Sequence, residues 1–286
     1  MEEVSNSAPT GYRQSLLVVL VVLTLMLPFI SCAALPTVTV NGTPVIGNST
    51  PDSSGTPTLN VWSKVAPGVE LRYEDWKSSG DDEDIVTIVR FDLHHVRLSV
   101  GYRPSHPLLL SEWMHQDQAT AIINGGYFDQ QNQATGLVVS NGHVFGSSYT
   151  GFGGMLSVDS QGHISLRYLL QHPYDPDEGL QQAIQSVPML ILPSGKRAQF
   201  SADAASSRRS VVAMDKQGHL LFIASPSMAF SLDELADLLL KSDLSINVAL
   251  NLDGGASTGL YLNSVSRHVA IDSFTPLPLV VIVKAI

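Results

Sequence analysis

Cysteine is almost missing from this chain: there is one in 286 residues, Cys32. That excludes an intramolecular disulfide and any cysteine-based zinc site. Basic runs are missing too. The 16 Lys and Arg stand against 26 Asp and Glu, for a net charge of −10. Such a chain is a poor nucleic-acid binder, since that binding rests largely on neutralising phosphates. A small anionic ligand stays open, because one or two placed arginines hold a phosphate whatever the total charge. The 9 histidines show no HxxxH or HxH spacing, so no zinc site is predicted. What is there suits one globular domain with an appendage: 44% hydrophobic residues and 15% charged ones, which argues against global disorder.

The appendage is N-terminal. Residues 14–35 read QSLLVVLVVLTLMLPFISCAAL, apolar throughout and without a charge. The run is long enough to cross a bilayer, for which roughly 20 apolar residues are needed. Arg13 precedes it, but Glu2 and Glu3 weaken the positive-inside signal. Two readings compete: an uncleaved signal anchor, and a lipoprotein signal ending at Phe29-Ile30-Ser31-Cys32. The second resembles a lipobox, with acylation at Cys32. Ser31 and Ile30 fit that pattern, while Phe29 stands where Leu is usual. The lone cysteine at the end of the apolar run favours the lipoprotein. Either reading tethers the chain to the cell membrane, with the remainder on the extracytoplasmic side. Residues 36–59 are rich in Pro, Thr, Ser, Gly and Asn and show no helical period, so they read as a flexible spacer. The domain is expected over 60–286.

In that domain, short strands alternate with turn residues. Residues 85–93 and 96–100 are strands by their β-branched content. Asp81, Asp82, Glu83 and Asp84, just ahead of them, read as a solvated turn rather than a metal site. Residues 136–144, 155–166 and 210–223 each set a turn of a polar residue and glycine between alternating apolar runs, which marks a β-hairpin. They read as independent hairpins, because antiparallel pairs generate this pattern without an internal repeat. Helices are few. In 231–241, Ser231 is an N-cap and Glu234 completes a capping box, with Leu232, Leu235, Leu238 and Leu239 on one face. Shorter helices are expected near 111–118 and 180–186. The expected fold class is α+β: a large, mostly antiparallel or mixed twisted sheet with a few covering helices.

Two glycine-rich segments carry the chemistry. AIINGGYFD, at 121–129, begins as a buried strand and stops at Gly125-Gly126; VALNLDGGAST, at 248–258, does the same at Gly254-Gly255. Each strand delivers Asn or Asp to its carboxyl end, and each glycine pair permits positive φ and close backbone approach. Bare glycine amides with the Ser257 and Thr258 hydroxyls suit an anion such as phosphate. Asp129 and Asp253 supply carboxylates for glycosyl chemistry. Either segment alone reads equally as a tight turn in which Asn and Asp bond their own backbone. Two in one domain point to a site.

Together, INGGYFD and ALNLDGGAST resemble the signature of the phosphodiester glycosidase family. The similarity continues in order along the chain, through GLVVSNGHVF, QAIQSVPMLILPSGK, RRSVVAMDKQGHLLFI and TPLPLVVIV, and covers about 60–286. Three positions depart from the family pattern. Ser210 stands where Thr is usual, Ala256 where a third glycine is common, and Gly259-Leu260 where a bulkier pair is typical. The resemblance implies hydrolysis of the glycosidic bond of a sugar-1-phosphodiester, in cell-surface or extracellular glycans. It assigns Asp253 as nucleophile or base, with Asp129 as a second carboxylate that serves equally to hold its loop. Asn124 and Asn251 position sugar hydroxyls or the attacking water. Arg209, with Arg208 second, clamps the phosphate. Gly125, Gly126, Tyr127, Gly254, Gly255, Ser257 and Thr258 line the pocket. No cofactor is demanded; oxygen ligands near Asp253 would suit Ca²⁺, but no spacing requires it. The alternatives are a non-catalytic surface module binding anionic polysaccharide, which would not need Asp253, and an envelope scaffold. Nothing in the sequence signals an oligomeric state.

Overall fold

The β-branched runs fold into three sheets. The computed structural model describes residues 58–201 and 205–286, which belong to one unit, Gly55–Ile286. The segment read as an export signal, with Cys32, and the stretch read as a spacer, up to residue 57, lie outside the described residues. Among the described residues, no helix is long and apolar enough to cross a membrane.

The largest sheet has eight strands, in the order Ser63–Ala66, Val69–Lys77, Glu83–Phe91, Leu220–Phe230, Ser207–Asp215, Ile246–Asn251, Met189–Leu192 and Lys196–Arg197. Side chains alternate across it. Along Ser207–Asp215, Val212 joins Phe222, Val248 and Leu250 on one face, while Val211 and Ala213 meet Leu235 and Leu239 on the other. Those leucines belong to helix Leu232–Lys241. Its start is fixed as expected: the Glu234 amide donates to Ser231 Oγ at 3.3 Å, and the Ser231 amide to Glu234 Oε2 at 3.0 Å.

Two five-stranded sheets complete the fold. One runs His143–Phe145, Val138–Ser140, Gln182–Ser186, Gly154–Val158, Ile164–Tyr168; the other runs His268–Ile271, Leu260–Asn263, Ala121–Asn124, Leu279–Ala285, Val96–Tyr102. All three sheets contribute to one apolar cluster, which contains Val212, Ile184 and Ile123 among others. Helix Leu110–Asp117 lays Trp113 and Met114 over Ile122 and Val280. The α+β class is as expected, and the three hairpins form. The single large sheet becomes three.

Two local expectations need correction. The helix expected near 180–186 is strand Gln182–Ser186, central in its sheet and buried along its whole length. Gln182 and Gln185, three apart, imitate a helical polar stripe. Their side chains are in fact buried acceptors: Gln182 Oε1 takes the Val100 amide at 2.9 Å, and Gln185 Oε1 takes the Tyr149 amide at 2.8 Å. Asp84 is no part of a solvated turn. It is buried in strand Glu83–Phe91, accepting from the Ser227 amide and the Ser225 and Ser227 hydroxyls. His94 and His95 occupy a turn after that strand, where Asp92 accepts the His94 amide.

The Ser231 cap gives a direct test of this part of the fold. Ser231→Ala removes an acceptor and half of the capping box and should cost about 1 kcal/mol, read as a lower urea midpoint at unchanged slope.

Candidate active site

Strand Ala121–Asn124 is buried at every position, and its last side chain, Asn124, is 0% exposed. It meets the end of strand Ile246–Asn251, which comes from a different sheet. The two glycine-rich segments then interlock through backbone groups. Asn124 Nδ2 donates to the Asp253 carbonyl at 2.7 Å, and the Asp253 amide donates to the Gly125 carbonyl at 3.1 Å. Asn124 Oδ1 accepts the Gly259 amide at 3.1 Å. Asn124 therefore bonds both ends of the loop that carries Asp253. Asn251 makes the reciprocal tie, with Nδ2 donating to the Tyr127 hydroxyl at 2.8 Å and the Val187 carbonyl at 3.0 Å.

Glycine is required here mainly for close approach. A Cβ on Gly126 would lie 2.4 Å from the Gln185 carbonyl oxygen, and one on Gly125 would lie 2.5 Å from Leu279 Cγ. Of the four glycines, Gly255 alone has positive φ, at 60°. The expected cradle of bare amides is largely filled from within. The Gly125 amide donates to Leu279 O, the Gly254 amide to Asp253 Oδ1, the Ser257 amide to Gly254 O and the Thr258 amide to Gly255 O.

The carboxylate sits in the middle of this arrangement. Burial raises the Asp253 pKa above the ordinary aspartate value, against the opposing pull of the Ser257 hydroxyl and the Gly254 amide. Tyr127 is pushed up to about 12, first by burial and then by the charge of Asp253, with Asn251 and Arg209 pulling it down. It stays a phenol through the physiological range. Its oxygen accepts from Asn251, so its hydrogen remains available to donate. Four more polar atoms are buried without a protein partner: Ser186 Oγ, Ser210 Oγ, Asn251 Oδ1 and Thr258 Oγ1. Ser210 O accepts the Leu252 amide, and the Ser186 side chain lies beside Gly126, so these hydroxyls belong to the same neighbourhood. Unpaired buried oxygens cost about 1–3 kcal/mol each and call for a polar occupant.

The phosphodiester glycosidase family model matches residues 117–284, which contain both segments. This chain belongs to the phosphodiester glycosidase family. No curated protein sequence matches it. Among solved structures it is similar to the catalytic domain of zebrafish N-acetylglucosamine-1-phosphodiester alpha-N-acetylglucosaminidase, auto-inhibited by its pro-peptide. The identity is 20% and the TM-score 0.60, covering 77% of this chain and 84% of that one. It is also similar to a hypothetical protein from Synechocystis, at 16% identity and TM-score 0.60, covering 76% of this chain and 62% of that one. At these identities the shared property is the fold.

In this family member the residues singled out from sequence divide into three groups. Asp253, Tyr127, Asn251, Ser257 and Thr258 come together as expected. Asn124 does so in a different capacity. Its amide is wholly engaged by the backbone, so it holds the loop and offers nothing to a sugar hydroxyl. Arg208 and Arg209 both donate to backbone carbonyls. Arg208, 5% exposed, donates to the carbonyls of Pro226 at 2.9 Å, Asp272 at 3.0 Å and Gly255 at 3.5 Å, and its guanidinium lies 3.9 Å over the Phe274 ring. It braces the Gly254-Gly255 turn. Arg209 lies on the other face of its strand, donating to the carbonyls of Phe230 at 3.0 Å and Ala205 at 2.7 Å. Its charge is still felt at Tyr127.

For Asp129 the structure shows the loop-holding role. The residue is exposed, and Oδ1 accepts the Gln131 amide at 2.9 Å and the Gln133 amide at 2.8 Å. Asp159 bonds Gln161 and His163 in the same way, and Asp215 bonds Gln217 and His219, in two hairpin turns. Asn132, at φ 62°, replaces the glycines at φ 87° and 89° in those turns. Asp129 is thus a turn-former. Ser186 and Ser210 were missed as site residues because nothing around a serine in a strand announces an unpaired hydroxyl. Among the described residues, no group of three or more His, Cys, Asp or Glu is placed to hold a metal ion.

These placements separate two kinds of variant. Asp129→Ala should lower stability by about 1 kcal/mol and leave turnover within roughly twofold. Asn124→Ala leaves the Asp253 carbonyl and the Gly259 amide unpartnered, and should cost about 1–3 kcal/mol or more. It should also disturb turnover through the loop. Paired denaturation and turnover measurements on both variants check this.

Proposed function

We propose that this chain is an exported hydrolase that cleaves the glycosidic bond of a sugar-1-phosphodiester in cell-surface or extracellular glycans. The observation that carries the reading is the buried carboxylate, Asp253, in a member of the phosphodiester glycosidase family. Ordinary glycosidases use two carboxyl groups because an alkoxide leaves badly and must be protonated. A phosphate ester leaves as a stable anion and needs no strong acid. The C1–O bond breaks with its electron pair staying on the phosphate oxygen, and water supplies the new C1 hydroxyl. Asp253 then serves as nucleophile at C1 or as base toward that water. Tyr127, held by Asn251, donates to a substrate oxygen. The unpaired hydroxyls of Ser186, Ser210 and Thr258 take sugar hydroxyls or ordered water.

An anion-binding module is less well supported. It gives no role to the buried carboxylate of Asp253.

The raised pKa of Asp253 gives the test two arms. The native state binds this proton more tightly than the unfolded chain. Stability is therefore full below the ordinary aspartate value of 3.8 and is partly lost as pH rises through the folded value. Asp253→Asn should abolish hydrolysis of sugar-1-phosphodiesters while raising the melting temperature at pH 7, and that gain should shrink as pH falls toward 3.8. In the active protein, kcat/KM should rise with pH along a limb centred above 3.8. A folded, fully active Asp253→Asn protein would sink the assignment.

Location follows from residues 14–35 and Cys32. The reading is a membrane-anchored protein with its domain outside the cytoplasm, lipidated at Cys32. Cys32→Ser should abolish incorporation of labelled fatty acid. Unchanged labelling rules out acylation at Cys32, and no labelling of the wild type favours the uncleaved anchor.

A further inference from the structure

A cavity of about 350 Å³ opens next to the site, a size typical of small-molecule pockets. Phe152, Tyr168, Val187, Pro188, Met189 and Phe200 form much of its wall. Among the described residues that line it, none is Asp, Glu, Lys, Arg or His, and the side-chain hydrogen-bonding groups are those of Tyr168, Gln199 and Ser201.

The wall of the cavity touches the site along two lines of contact. The carbonyl of its wall residue Val187 accepts from Asn251 Nδ2 at 3.0 Å, and the same amide holds the Tyr127 hydroxyl at 2.8 Å. On the outer side, the Phe152 ring stacks on Tyr149 at 5.0 Å and 27°. The Tyr149 hydroxyl lies 2.9 Å from Thr135 Oγ1, which in turn lies 3.3 Å from the Tyr127 carbonyl. Asn251 thus stands between the carboxylate and the cavity, two residues along the chain from Asp253.

The two compartments differ in chemistry. Around Asp253 lie the unpaired oxygens of Ser186, Ser210, Asn251 and Thr258, which suit the hydroxyls of a sugar. The described lining of the neighbouring cavity is uncharged and largely apolar. Sugar hydroxyls buried there would find few partners, which is unfavourable, whereas a hydrocarbon chain gains by leaving water. Given that the site cleaves sugar-1-phosphodiesters, we propose that this cavity holds the alcohol half of the diester and that this alcohol is aliphatic. The phosphate then lies between the two compartments, beside Asn251 and Tyr127, and the chain-bearing phosphate is the leaving group.

The test uses the full chain in lipid nanodiscs, with the methyl, butyl and hexyl diesters of N-acetylglucosamine 1-phosphate as substrates. Ethyl and hexyl phosphate serve as ligands in calorimetry. Each buried methylene should improve kcat/KM about three- to fourfold, and hexyl phosphate should bind more than roughly tenfold tighter than ethyl phosphate. Phe152 is 52% exposed and Gln199 is also at the surface, so Phe152→Ala and Gln199→Asp should fold normally. Both should flatten the chain-length dependence while leaving the methyl diester rate within about twofold. Equal rates and equal binding at every chain length would overturn the inference and leave the proposed hydrolysis standing. A chain-length preference that survives both variants would also overturn it, by placing the chain elsewhere. Failure to cleave any diester would overturn the hydrolytic reading, and this inference with it.

Discussion

The amide of Asn124 is the interaction on which the site depends. It stands where a strand of one sheet ends against a strand of another, and it closes the loop from Asp253 to Gly259 by bonding both ends. Only a neutral amide does this, because the contact needs a donor toward the Asp253 carbonyl and an acceptor for the Gly259 amide at once. Aspartate would present oxygen to oxygen and add a second negative charge near a carboxylate already raised by burial. Leucine would fill the space and leave two buried backbone groups unpaired. The glycines follow from the same contact. Gly125 and Gly126 must let the chain pass against Leu279 and Gln185 at distances that no Cβ tolerates.

That latch explains how Asp253 stays in a place that opposes its charge. A side chain on a mobile loop would swing toward water and relax its pKa. Here the backbone of residue 253 is pinned on both sides, by Asn124 through its carbonyl and by Gly125 through its amide. Arg208 adds a brace to the following turn through the Gly255 carbonyl. The strain on the carboxylate is thus carried by hydrogen bonds in two sheets rather than by the site itself. This is the preorganisation that electrostatic catalysis requires.

What could be read from the sequence was whatever local patterning determines. The Ser231–Glu234 capping box, the hairpins around Gly142, Gly162 and Gly218, and the arrest of two buried strands at paired glycines all have local causes. Partners across the fold had no such signature. Arg208 and Arg209 look alike in sequence, yet they point to opposite faces of one strand and end on different carbonyls. Gln182 and Gln185 were misleading because the helical period of three to four also fits two buried glutamines that serve opposite neighbours. Asp129 looked catalytic beside Asp253, although its pattern of backbone bonds is shared with Asp159 and Asp215. The three turns share one bonding pattern, and in the first Asn132 hides the glycine that marks the other two.

In the proposed reaction the leaving group carries its own stabilisation, as a phosphate ester does, so the demand on the site falls on C1 and the water. The raised pKa of Asp253 suits that demand. A carboxylate that resists ionisation becomes a better base toward water, and its charge is most stabilised when a cation develops at the anomeric carbon. The interaction that is unfavourable in the resting protein is then the one relieved as the C1–O bond breaks. Asn124 fixes the geometry in which that relief takes place.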